Sequence, residues 1–146
     1  MSHSYKPKNT PSLMPYLIVQ DARKSLDFYS NAFGFEVVNT AYDDNKIPMH
    51  VEMRKGEALV MFCNEGAFGN EGKAPVTQNM IMPLTIYVYC EDVDALYKQA
   101  IGIGAKSKIA PTDGFWGDRF CTLFDPDGYE WSFATYLGED SEITQN

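Results

Sequence analysis

The sequence predicts an α+β fold of two tandem βαβββ modules, and three observations carry that reading. The chain matches itself at an offset of 70, pairing Asp21 with Glu91, Leu26 with Leu96 and Gly34 with Gly104. Each half opens on an apolar strand-like run followed by an acidic cap and apolar residues at helical spacing. Each helix is followed by three short segments bounded by turn residues. The period is longer than a solenoid unit, and there are only two copies.

The first strand spans 13–20, a run of apolar and aromatic residues, and Asp21 follows as a helix N-cap. The stretch 22–33 places Leu26, Tyr29 and Phe33 at helical spacing, and Gly34 is the natural residue past its end. Strands at 35–42, 47–55 and 57–63 come next, separated by Asp43-Asp44-Asn45 and by Gly56. Residues 65–80 carry Gly66, Gly69, Gly72 and Pro75 and read as a linker.

The pattern then repeats. A strand at 84–90 precedes a helix capped by Glu91 or Asp92, with Val93, Leu96, Ala100 and Ile101 as its apolar face and Gly102 and Gly104 as its stop. Strands at 105–110, 119–124 and 129–136 follow, with Pro126-Asp127-Gly128 as the tight turn between the last two. The expected organisation is a flexible arm at 1–11, one domain at 12–136 (modules 12–64 and 81–136) and an acidic tail at 137–146. In each module a helix covers one face of a four-stranded sheet. The other face must meet the second module, a second chain or a ligand.

Composition narrows the functional classes. With 45% hydrophobic and 22% charged residues the body of the chain is an ordinary folded protein. A net charge of −8 without a basic face argues against a nucleic-acid partner. No apolar run approaches the roughly 20 residues that span a bilayer. The first twelve residues, MSHSYKPKNTPS, lack the apolar core of a secretory signal. The three cysteines, Cys63, Cys90 and Cys121, lie in strand-like runs and read as free buried thiols in a reducing, cytoplasmic setting.

Several motifs at matched spacing then coincide. They are Val19–Asp21, Ser25-Leu26-Asp27-Phe28-Tyr29 and Phe33-Gly34-Phe35 in the first half. In the second half they are Phe115-Trp116-Gly117-Asp118-Arg119-Phe120 and Asp125-Pro126-Asp127-Gly128-Tyr129-Glu130-Trp131. With these the chain resembles the vicinal oxygen chelate superfamily of glyoxalase I, bleomycin-resistance proteins and extradiol dioxygenases, and most of all its PhnB-like or glyoxalase-like branch. The resemblance implies an open, cup-shaped mixed sheet with helices on the outer face. It also implies a metal held by one residue from each of four strands, at positions that fall here on Met14, Met61, Thr85 (or Leu84) and Ser132. None of these is a competent ligand for a hard or borderline divalent ion. The chain has two histidines, His3 and His50. The expectation is therefore no metal and no cofactor.

Strand alternation around those four positions predicts the lining of the cup. Met14, Tyr16 and Ile18 face inward, as do Leu59 and Met61, Thr85, Tyr87 and Tyr89, and Glu130 and Ser132. His50, Glu52 and Arg54 share one face of their strand, either cup wall or solvent. A floor of methionine and tyrosine suits an aromatic or cationic ligand, or is ordinary core. Arg119 reads either as an ion-pair partner of Asp118 or as an anion anchor at the mouth, with Trp116 as a lid. Glu130 is either a half-buried base or a solvated rim carboxylate. His50 is a strand-surface histidine or a catalyst.

The functional expectation is a metal-free small-molecule-binding protein that sequesters an aromatic or charged ligand and forms a homodimer. The alternative is a glyoxalase-like lyase or isomerase, or a dioxygenase-related enzyme, with a non-standard site that uses Glu130 or an ion bound across a dimer.

Overall fold

The computed structural model of the chain describes residues 3–138, so most of the expected acidic tail lies outside the described residues. The chain divides into two compact units. The first takes the chain through Ala74 apart from Asn31–Phe33, and the second takes Asn31–Phe33 and everything from Pro75. The fold class is α+β, as the sequence predicts, with two helices and two four-stranded mixed sheets.

In the first unit β1 (Tyr16–Val19) leads into α1 (Ala22–Phe33), followed by β2 (Glu36–Tyr42), β3 (Pro48–Lys55) and β4 (Ala58–Asn64). The sheet order is β1-β4-β3-β2, with β1 parallel to β4 and the other pairs antiparallel. Asp21 caps α1 by accepting from the amides of Arg23 at 3.0 Å and Lys24 at 3.3 Å. Gly34 closes it at φ +77, donating to the Ser30 carbonyl, while Phe35 donates to Tyr29. Leu17, Val19, Val51, Met53, Val60 and Phe62 are buried, and Tyr29 of the helix meets Phe62 edge-on at 5.4 Å.

The second unit repeats the plan with β5 (Ile86–Tyr89), α2 (Val93–Ile103), β6 (Lys106–Asp113), β7 (Asp118–Phe124) and β8 (Glu130–Tyr136), in the order β5-β8-β7-β6. Asp92, not Glu91, is the cap, accepting from the Ala95 amide at 3.0 Å. The Asp125-Pro126-Asp127-Gly128 turn is tied by buried Asp125. Its Oδ1 accepts from the amides of Asp127 and Tyr129, both at 3.0 Å, and its Oδ2 from the Trp131 indole at 2.9 Å.

Some elements differ from expectation. β1 begins at Tyr16 rather than 13, because Pro15 precedes it and Leu13 is exposed. β5 likewise begins at Ile86, leaving Leu84 exposed. Ile101 lies off the buried Val93–Leu96–Ala100 stripe, 39% exposed, since one residue past Ala100 turns it about 100° away. β6 continues through Pro111 to Asp113. As an edge strand with two register shifts it tolerates a residue that has no amide hydrogen.

Candidate functional site

In the second unit the register aligns Tyr87 with Ser132 and Thr122, and Tyr89 with Ala134 and Phe120. Paired residues project to the same side of a sheet. The helix side is marked by Thr135, whose hydroxyl accepts from the Val93 amide at 3.0 Å. The opposite face therefore carries Tyr87, Tyr89, Asp118, Phe120, Thr122, Glu130 and Ser132.

Asp118 is the centre of this face. It is 2% exposed, and its Oδ2 accepts from Tyr87 at 2.6 Å, Tyr89 at 2.9 Å and the Trp116 indole at 3.1 Å. The same indole N–H reaches the Tyr87 oxygen at 3.0 Å. The buried carboxylate thus holds three aromatic side chains by their polar edges and leaves ring surface open, with Trp116 38% exposed. Phe115 and Phe120 flank the indole with centroids at 5.1 and 4.8 Å. Partial burial, and then Asp118, push the Tyr87 phenol up to about 12. The hydrogen bond to Asp118 raises that of Tyr89. Gly114 makes room for this arrangement, because a Cβ there would meet the Trp116 ring at 2.7 Å.

Beside this cluster Ser132, which is buried, shares its hydroxyl with Thr85 at 2.8 Å and Thr122 at 2.9 Å. Glu130 is also buried, and its Oε1 accepts from the Lys108 ammonium at 2.5 Å. Arg119 points the other way. Its guanidinium forks onto Asp94 of α2 at 2.7 and 3.0 Å and donates to Asp113 at 3.0 Å. The expected Arg119–Asp118 pair is therefore corrected, since alternation along β7 sends neighbouring residues to opposite faces.

In the first unit Tyr16 aligns with Met61, and Met61 with Glu52. The polar face of β3, left open by the sequence, is thus the face of Met61. Tyr16 lies 2.8 Å from His50 Nδ1, and His50 Nε2 lies 3.3 Å from Glu52. Met14 is half-buried just ahead of β1.

The structure thus brings Tyr87, Trp116, Thr85, Ser132 and Glu130 onto one face, with Tyr16 and Met61 neighbours in the other unit. Sequence reasoning missed the central part of Asp118, and also Lys108 and Thr122. The alternation of Asp118 with Arg119 was the available signal. A separate groove of about 280 Å³ in the second unit, walled by Pro75, Met80, Ile81, Phe124 and Gly128, contains none of the expected site residues.

The positions that carry a metal in the resembling family fit an ion poorly. Met14 and Met61 offer thioethers, Thr85 a hydroxyl, and Ser132 a hydroxyl already shared by two others. Such donors do not match a hard or borderline divalent ion. Among the described residues no group of three or more His, Cys, Asp or Glu is placed to hold one.

Comparison with known proteins agrees with this architecture. Residues 12–133 match the family profile described as Glyoxalase/Bleomycin resistance protein/Dioxygenase superfamily. An uncharacterized protein of Mycobacterium tuberculosis strain H37Rv is 34% identical over 131 residues, 88% of this chain and 76% of that one. The crystal structure of TioX from Micromonospora sp. ML1 superposes with a TM-score of 0.69 at 22% identity, covering 86% of this chain and 98% of that one. A mutant of the fosfomycin resistance protein FosX from Listeria monocytogenes, complexed with Mn(II) and a dihydroxypropylphosphonic acid, gives 0.64 at 15% identity over 91% and 93% of the two chains.

Proposed function

Because the chain belongs to the glyoxalase/bleomycin resistance protein/dioxygenase superfamily, we propose that it binds a small aromatic or charged molecule without a resident metal ion. The ligand lies on the face of Tyr87, Tyr89 and Trp116. One observation supports this reading above the others, the convergence of those three side chains on buried Asp118. Donation to a carboxylate makes the tyrosine and tryptophan rings richer in electrons, which favours cations and flat aromatic systems on their exposed faces. Each such contact contributes roughly 0.5–2 kcal/mol. Three together, about 1.5–6 kcal/mol, correspond to dissociation constants from about 80 mM to about 40 μM. Association of two copies through sheet faces belongs to the same proposal, and sedimentation reads it.

Titration with a panel of aromatic cations and anions up to about 100 mM, followed by tryptophan emission, tests the reading. A Trp131→Phe variant isolates the Trp116 signal. Saturable quenching that disappears in Trp116→Phe is the expected result. Silence across the panel, or stoichiometric zinc, nickel or iron in untagged protein purified without chelator, would overturn it. The enzymatic alternative uses Glu130 as a base or an ion bound across a dimer. The Lys108 ammonium already occupies Glu130 Oε1 at 2.5 Å, which opposes the first of these.

A further inference from the structure

The first unit carries a second constellation that the aromatic face does not use. Tyr16, His50 and Glu52 form a chain of hydrogen bonds across β1 and β3. A carboxylate oxygen can only accept, so in the neutral imidazole the bond to Glu52 places the single hydrogen on Nε2. Nδ1 is then the acceptor for the Tyr16 hydroxyl. The Tyr16 proton is thereby committed inward, its oxygen also meets the Cys63 thiol, and the residue is 44% exposed, so the oxygen can be approached from outside. Partial burial, then Cys63 and Glu52, push its phenol up to about 12, so the hydroxyl keeps its proton at neutral pH.

A second, independent feature lies beside this chain. Phe68 holds a left-handed backbone, φ +56, that a bulky residue rarely adopts. Its ring is 65% exposed and meets His50 edge-on at 6.4 Å. Backbone outliers of this kind cluster at active sites and ligand clamps. On the same face, Asn39 and Glu36 of β2 align with Glu52 and Arg54. Cys63 is the buried register partner of His50, and Arg54 is engaged with the carbonyls of Gly56 and Asn9. Ala41, opposite His50 on β2, is uncharged.

We propose that Tyr16, His50 and Glu52 form a proton-accepting relay for a phenolic or enolic hydroxyl, which docks on the Tyr16 oxygen with its ring against Phe68. The O–H bond of the bound molecule breaks and its proton passes to Tyr16 Oη. The Tyr16 proton moves at the same time to His50 Nδ1. The products are a bound oxyanion and an imidazolium whose Nε2–H remains on the Glu52 carboxylate. No oxidant or metal enters the balance. The relay stands independently of the aromatic face of the second unit.

The probe is 4-nitrophenol, which is yellow only as its anion, added to the full chain at one pH near neutrality. Saturating protein is expected to raise the anion-to-phenol ratio about tenfold, one pK unit. Tyr16→Phe and His50→Gln are each expected to return it to that of the free dye. No rise with the unsubstituted protein, for lack of binding or of proton transfer, overturns the relay, and so does a rise that survives in His50→Gln. If His50→Gln does not fold, Tyr16→Phe decides. Nitrogen-15 NMR provides a second measurement. A neutral His50 protonated on Nε2 supports the relay, and one protonated on Nδ1 overturns it.

Discussion

The phenolic oxygen of Tyr87 stands 2.6 Å from Oδ2 of Asp118, a carboxylate buried at the first position of β7. Removing that carboxylate leaves two phenols and an indole N–H without their common acceptor. Asp118→Ala is expected to cost about 1–3 kcal/mol and to free the Trp116 ring. Chemical denaturation, with tryptophan emission of the native state, measures both.

Burial, and at Tyr87 then the contact with Asp118, has a consequence at high pH. The folded protein holds the Tyr87 phenol at about 12 against an ordinary 10.0, and Tyr16 is raised equally. A group whose folded pKa is raised contributes stability that is complete below its unfolded pKa. That contribution is then lost as pH rises through the folded value. Unfolding midpoints should therefore fall between pH 10 and pH 12, with phenolate absorbance appearing late for these two tyrosines. Asp118→Asn should bring Tyr87 ionisation back toward 10.0.

Gly114 separates platform geometry from stability. An added Cβ meets the far edge of a movable side chain, the Trp116 indole, at 2.7 Å. Gly114→Ala is expected to cost about 1 kcal/mol or less, while displacing the indole from Asp118 and weakening aromatic ligands. Thermal melts beside ligand titrations distinguish this outcome from general unfolding.

Arg119→Ala tests which face matters. Its fork onto Asp94 and its contact with Asp113 tie α2, β6 and β7 together on the helix side of the sheet. The expected result is a small loss of stability that fades as salt rises, with ligand binding unchanged. Weakened anion binding instead would restore Arg119 as an anchor.

Gly128 presents the opposite case to Gly114. It sits at φ +88, and a Cβ there would lie 3.1 Å from Pro75 and 3.2 Å from the Val76 amide. Gly128→Ala combines backbone strain with a clash that cannot rotate away, and about 1–3 kcal/mol of destabilisation is expected. Denaturant midpoints measure it.

Legibility in the sequence followed the range of the forces involved. Asp21 and Gly34 bracket α1 as expected because capping is settled within a few residues of chain. The free thiols, the repeated strand–helix order and the alternation of Trp131 and Phe133 with Ser132 are equally local or periodic. The partners of Arg119 and Glu130 were not readable. Asp94 and Lys108 lie 25 and 22 residues away, and only strand register and helix docking bring them within reach.

What the chain alone determined is therefore the pair of βαβββ modules and the residue types on each strand face, since period and capping are properties of neighbouring residues. Tertiary structure decided which polar groups meet. It gathered Tyr87, Tyr89 and Trp116 on Asp118, joined Tyr16 to His50, and turned Arg119 to the helix side. A hydrogen bond depends on ångström-scale placement of segments distant in sequence, and no local pattern encodes that placement.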